Sequence, residues 1–229
     1  SEDGGGWGGA IRNDNGTLTV SNSAFSGNRA SDGGGGGISN TGVALTINSS
    51  TFANNSASAG GSINNSGGLL TINSSTFASN SASNLGGGFG GGIRNYAGAT
   101  VTVSNSTFSA NSASSGGGIF NTGTVTVSGS IFADNIASAE GGGWGGGIYN
   151  YDSSIALSNT TFSGNSAKDE GGGLYNYDGS ITLSNSTFFT NSVTNNAGGG
   201  IYSNGFHGML NVNNSTFAAN SAPQGGGLY

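Results

Sequence analysis

Cysteine is absent from the 229 residues, and histidine, methionine and proline occur once each. Without cysteine there is neither a disulfide framework nor a thiolate metal site. Charge is scarce too: four Lys and Arg stand against ten Asp and Glu, 6% of the chain, for a net charge of -6. An ordinary soluble domain carries about 25% charged residues. Four basic residues cannot build the phosphate-neutralising surface of a nucleic-acid binder. No apolar run reaches about 18 residues, so no segment reads as a membrane-spanning helix. Glycine, by contrast, supplies 48 residues. They come in clumps without a three-residue period, and with almost no proline, which excludes collagen. Two classes are left, a disordered Gly/Ser/Asn-rich chain and a repeat protein.

Internal periodicity decides between them. An aliphatic residue follows a glycine clump at Ile11, Ile38, Ile63, Ile93, Ile119, Ile148, Leu174, Ile201 and Leu228, in steps of 25 to 30 residues. A second marker, Phe-x-x-Asn, begins at Phe25, Phe52, Phe77, Phe108, Phe132, Phe162, Phe188 and Phe217. A disordered chain has no reason to keep a four-residue spacing through eight repeats. Between the markers lies an alternating apolar pair, such as Leu45/Ile47 or Val101/Val103. Five residues after each Phe comes Ala30, Ala57, Ala82, Ala113, Ala137, Ala167, Val193 or Ala222. Alternation with period two marks strands with one buried face, and no stretch carries the helical i, i+3, i+4 pattern. The reading is an all-β, right-handed parallel β-helix of about eight coils of about 27 residues, with three short strands per coil. It forms a single domain over residues 1–229. Coils rising about 4.8 Å each make a rod of roughly 38 Å, with like side chains stacked along its axis.

Asparagine supplies further ladders. It stands two residues after the aliphatic marker at Asn13, Asn40, Asn65, Asn95, Asn121, Asn150 and Asn176, and it closes every Phe-x-x-Asn. It also precedes Phe by three residues at Asn22, Asn105, Asn159, Asn185 and Asn214. These positions read as structural, because Asn tolerates left-handed backbone angles and its amide can bond the same residue one coil away. The segment from Phe to the next marker varies from 11 to 16 residues, so that corner accepts insertions. The two longest are Gly-rich loops around Phe89 and Trp144, and Trp7 sits in a similar N-terminal segment.

The Gly-Gly-Ala-Ile at Gly8 to Ile11, its Gly-Gly-Gly-Ile variants and the Phe-x-x-Asn motifs resemble the repeats of polymorphic outer-membrane proteins of chlamydia-like bacteria. Similar repeats occur in large bacterial β-helix surface proteins. The resemblance covers essentially the whole chain. It implies an extracellular or cell-surface β-helix, in a group that includes adhesins and autotransporter passengers. It carries over no catalytic residue, because the shared motifs are structural, and the sequence holds no membrane barrel.

An enzyme on such a scaffold needs clustered carboxylates or a metal on one solvent-facing strip. Most of the ten acids lie in the variable corner just before glycine clumps. Asp152 and Asp178 occupy equivalent places in adjacent coils, about 5 Å apart, near the separation of a retaining glycosidase pair. Each follows Tyr in a turn, where Asp is an ordinary turn former. His207 reads as solvated surface, and the spaced carboxylates of a calcium loop are absent. The expectation is a non-enzymatic chain without cofactor or metal.

The residue after each marker points outward: Arg12, Ser39, Asn64, Arg94, Phe120, Tyr149, Tyr175, Tyr202 and Tyr229. Two residues further come Tyr96, Tyr151 and Tyr177. All seven tyrosines fall on this strand, and the Trp7, Phe89 and Trp144 segments lead into it. The expectation is an exposed aromatic strip that binds glycans or another copy of the chain. A second outward strip, Thr17/Thr19, Thr46, Thr71, Thr100/Thr102, Thr124/Thr126 and Thr182, is similar to ice-binding faces, interrupted at Ala156, Met209 and Asn211. No capping repeat is evident at either end, so the chain reads as a fragment of a longer β-helix or as a subunit whose ends pair head to tail in a filament. The leading functional expectation is a structural fibre subunit. The alternatives are a glycan-binding surface adhesin and a carbohydrate-active enzyme.

Overall fold

The computed structural model describes residues 6–83, 88–138, 142–206 and 208–229. The chain winds as a parallel β-solenoid. Three sheets hold eight strands each and a fourth holds seven, and every strand pairs in parallel with its counterpart one coil away. A coil in the middle of the rod runs through Ile93–Asn95 in sheet A, Thr100–Ser104 in sheet B, Thr107–Ser109 in sheet C and Ser112–Ala113 in sheet D. Register is that of the sequence repeat: Ile93 pairs with Ile119, Val101 with Val125, and Phe108 with Phe132. Sheet D corrects the expectation of three strands per coil. In seven coils the Ala or Val five residues after Phe does not prolong the Phe strand; it lies in a strand of its own, often two residues long.

That fourth strand exists because the chain turns between Phe and Ala. The residue two after each Phe has a left-handed backbone in all eight coils, at Gly27, Asn54, Ser79, Ala110, Asp134, Gly164, Thr190 and Ala219. A second left-handed corner lies three residues before each Phe, at Asn22, Ser49, Ser74, Asn105, Gly129, Asn159, Asn185 and Asn214. A third lies three residues before each aliphatic marker, and it is always glycine. The reason for that restriction is steric. At Gly116 an added Cβ would lie 2.5 Å from the carbonyl oxygen of Ile119, whereas at Gly27 it would meet nothing within 4 Å. The last glycine of the clump has a different task. At Gly37, Gly92, Gly118, Gly147, Gly173 and Gly200 a Cβ would come within 2.8–3.2 Å of a ring atom of a stacked phenylalanine, while Ser62 holds this position before Ile63.

The interior is built of ladders. Phe25 through Phe217 stack in one unbroken column with centroids 4.5–5.1 Å apart and planes within 11°. The aliphatic markers and the apolar pairs of sheet B complete a single apolar core. Asparagine closes it at two edges. The Asn13-to-Asn176 column donates from each Nδ2 to the Oδ1 of the next coil at 2.7–2.9 Å, and Asn176 donates to Ser203 at 3.1 Å. The Phe-x-x-Asn column does the same at 2.8–3.0 Å, and most of its members also hold a Phe carbonyl of the preceding coil. The expected asparagine ladders are therefore two buried hydrogen-bond columns, while the third asparagine set serves the left-handed corner. A serine column went unread: Ser50, Ser75, Ser106, Ser186 and Ser215 each accept, through Oγ, a backbone N–H of the preceding coil. Its signal is present in the sequence as Ser or Thr two residues before all eight phenylalanines.

Candidate functional site

Sheets B and C, with the corner between them, carry no Asp, Glu, Lys or Arg in any coil. Their outward faces are mostly Thr, Ser, Asn and Ala, with Leu69, Ile131, Phe189 and Met209 also exposed, and Thr19, Thr46, Thr71, Thr102 and Thr126 share one column of sheet B. The chain is differentiated on the other side, at sheet A and the corner that leads into it from sheet D. There an aromatic cluster forms outside the solenoid core, made of Phe120, Tyr149, Tyr175 and Tyr202 with Phe89, Trp144 and Tyr177 packed against them.

Strand pairing assembles it. Phe120 pairs with Tyr149, Tyr149 with Tyr175, and Tyr175 with Tyr202. Their rings stack with centroids 4.6–5.3 Å apart, and Tyr229 continues the column at 5.3 Å. Trp144 lies against the column from the corner, 6.3 Å from Tyr149 and 5.9 Å from Tyr175. On the opposite flank Tyr151 and Tyr177 form a second stack at 5.5 Å. Arg94 opens the column: its guanidinium lies 4.0 Å from the Tyr96 ring centre and 5.3 Å from that of Phe89. Burial lowers the Arg94 pKa, and its Nε has no hydrogen-bond partner.

Exposure of this strip differs from the expectation. Phe120, Tyr149, Tyr175 and Tyr202 point away from the core yet are only 7–9% exposed. Each ring's faces are covered by the rings of neighbouring coils, and the corner chain bearing Phe89 and Trp144 folds over the column. In the early coils the same position holds Ser39 and Asn64, also buried, and both side-chain polar atoms of Asn64 lack partners. The solvent-facing aromatics are Trp7, Tyr151 and Tyr229, with Phe89, Tyr96, Trp144 and Tyr177 half-buried. Phe206, which the sequence reading did not single out as a site residue, is 96% exposed.

Burial acts on the phenols. It pushes Tyr149 up to about 12, with the charges of Tyr151 and Tyr177 adding to the shift, and it pushes Tyr175 and Tyr202 upward as well. An unfolded tyrosine ionises near 10. Between pH 10 and 12 the unfolded chain therefore holds fewer protons than the folded one, and stability falls as pH rises. Unfolding midpoints at pH 9 and pH 11 are expected to differ in that direction, with phenolate absorbance lagging until the chain unfolds. Equal midpoints would show that the column is solvated.

The acids near this face are engaged in corner hydrogen bonds. Asp169 accepts from Asn195 at 2.9 Å, and Glu170 accepts from Asn196 at 2.6 Å. Desolvation raises the Glu170 pKa against that bond. Asp152 and Asp178 both take left-handed corners, with φ of 46° and 53°, as their turn-forming role requires. Glu2, Asp3, Glu140 and His207 lie outside the described residues. Among the described residues no three His, Asp or Glu side chains gather as a metal site, and no helix is long and apolar enough to cross a membrane.

Residues 159–177 span the corner before Phe162, the Phe162-x-x-Asn165 motif, and the glycine clump leading to Leu174. They match the family model of the Chlamydia polymorphic membrane protein (Chlamydia_PMP) repeat. Over these residues the β-solenoid is similar to the polymorphic membrane protein repeat. The matched repeat covers most of one coil and includes Tyr175 and Tyr177 of the aromatic face. The same Phe-x-x-Asn and glycine-aliphatic spacing recurs in the other coils of this chain. No curated protein and no solved structure matches the chain.

Proposed function

We propose that the chain is a non-enzymatic, surface-displayed recognition rod, in which the solenoid is the scaffold and the aromatic face of sheet A is the contact surface for glycans. One observation carries the reading. The early coils fold in the same register with Arg12, Ser39 and Asn64 where later coils place Phe120, Tyr149, Tyr175 and Tyr202. The solenoid does not require aromatics there, so their accumulation over four coils, flanked by Tyr151, Tyr177 and Trp144, serves a purpose beyond the core. Cell-surface placement rests on the polymorphic membrane protein repeat. The absence of catalysis is supported by the dispersal of the carboxylates among corner hydrogen bonds.

The test is a glycan array probed with the whole chain, alongside negative-stain microscopy. Discrete rods that bind glycans, with binding reduced by Tyr151→Ser, are expected. Tyr149, Tyr175 and Tyr202 are poor targets for this test, because their burial makes substitution a test of folding. End-to-end filaments with no glycan bound would replace the recognition reading with that of a structural fibre.

A further inference from the structure

Within a stacked column an aromatic ring offers solvent only its edge, because both faces meet neighbouring rings. A sugar ring docks its apolar C–H face onto an open aromatic face, so a glycan subsite belongs where a stack is interrupted. Such an interruption occurs at Tyr177. One face of Tyr177 lies on Tyr151, but the residue paired with Tyr177 in the following coil is Asn204, which is too short to cover the other. Asn204 is also turned away: its Nδ2 donates to the Tyr202 hydroxyl at 3.2 Å, and its Oδ1 accepts from the Gly205 N–H at 2.7 Å. A cleft of about 280 Å³ opens there, lined by Tyr177, Asn204, Gly205 and Phe206.

The loop that forms the far wall is held by a glycine that no other residue can replace. Gly205 has φ of 125°, and a Cβ on it would lie 2.5 Å from the Asp178 backbone nitrogen. The close approach of Gly205 to Asp178 projects Phe206, 96% exposed, beside the open Tyr177 face. An isolated, fully exposed phenylalanine on a chain whose other eleven phenylalanines are part of ladders or strands has no folding role here.

We propose that this cleft is a monosaccharide-sized subsite that takes a neutral pyranose, with Tyr177 stacking on its C–H face and Phe206 closing one side. The inference rests on the glycan-recognition reading above and names its ligand class. The cleft holds one ring and little more. Charge selects against acidic sugars: Asp152 occupies the corner one coil before, and the chain has a net charge of -6. A uronate or sialate would meet like charge at the rim.

Saturation-transfer NMR on the whole chain tests it, with methyl β-glucopyranoside, methyl β-galactopyranoside and glucuronate as probes. Transfer to ring C–H protons of a neutral glycoside is expected, with at least tenfold less for glucuronate and at least tenfold loss in Phe206→Ser and in Tyr177→Ala. Phe206 is free of packing, so Phe206→Ser should keep the parent unfolding temperature, and a loss of binding there cannot be assigned to misfolding. Array glycans bound equally by the parent and both variants would overturn the subsite and leave the recognition rod standing. Preference for glucuronate would overturn the ligand class. A parent chain that binds neither the probes nor any array glycan would remove the reading and the subsite together.

Discussion

Replacing Asn111 by leucine is expected to cost about 3–5 kcal/mol, although the two side chains share the same branched shape. The Asn111 carboxamide makes four hydrogen bonds in the interior. Its Nδ2 donates to Asn135 Oδ1 and to the Phe77 carbonyl, each at 2.9 Å. Its Oδ1 accepts from the Asn80 backbone N–H at 3.0 Å and from Asn80 Nδ2 at 2.9 Å. Leucine would leave the Asn80 N–H and one amide proton buried without partners, at about 1–3 kcal/mol for each. The exposed corner asparagine Asn105 is the control. Ser49 and Ser74 adopt the same left-handed backbone at that corner, with φ of 46° and 48°, so Asn105→Ser should stay within about 0.5 kcal/mol of the parent. Repeat arrays depart from two-state unfolding, which makes amide exchange at Asn80 the sharper readout beside the denaturation midpoint. Equal losses in the two variants would show that the buried column does not hold the coils together.

Gly116→Ala and Gly27→Ala form the second pair. Both glycines have φ of +66°, so both substitutions impose the same left-handed penalty of about 1–2 kcal/mol. Only Gly116 adds a collision, with the new Cβ 2.5 Å from Ile119 O and 2.8 Å from its carbonyl carbon. That carbonyl belongs to the sheet A strand Ile119–Asn121, paired on both sides, and cannot swing aside without breaking its ladder. A loss of about 3 kcal/mol or more is expected at Gly116, against about 1 kcal/mol at Gly27, where Ala110 and Ala219 already show alanine in the equivalent corner. Thermal unfolding of the two variants measures the difference. A gap below about 1 kcal/mol would mean that the corner relaxes and that glycine stands there for another reason.

The contrast between these positions also separates what is written locally from what is not. Period and register were legible because every coil must place the same side chain in the same slot. Ile on Ile, Phe on Phe and Asn on Asn are therefore visible as a 25- to 30-residue recurrence. The glycine clump before each marker was legible for the same reason, while its left-handed corner three residues before the marker came from the structure. The fourth sheet was not legible. Its strands are mostly Ser-Ala pairs, too short to show alternation, and the corner that separates them from the Phe strand accepts Gly, Asn, Ser, Ala, Asp and Thr, so it leaves no residue signature.

The candidate site divides along the same line. By itself the sequence determined that the chain is a solenoid, which residues point out of it, and that all seven tyrosines share one strand position or its neighbour two residues on. Only the tertiary structure decided which of those outward residues meet solvent. Outward direction follows from strand alternation, a local property. Exposure depends on what neighbouring coils and the folded-over corner place on top, and stacked rings cover one another's faces. For that reason Tyr149, Tyr175 and Tyr202 are buried, while Tyr177, left facing a turned-away Asn204, and the projecting Phe206 hold the open cleft.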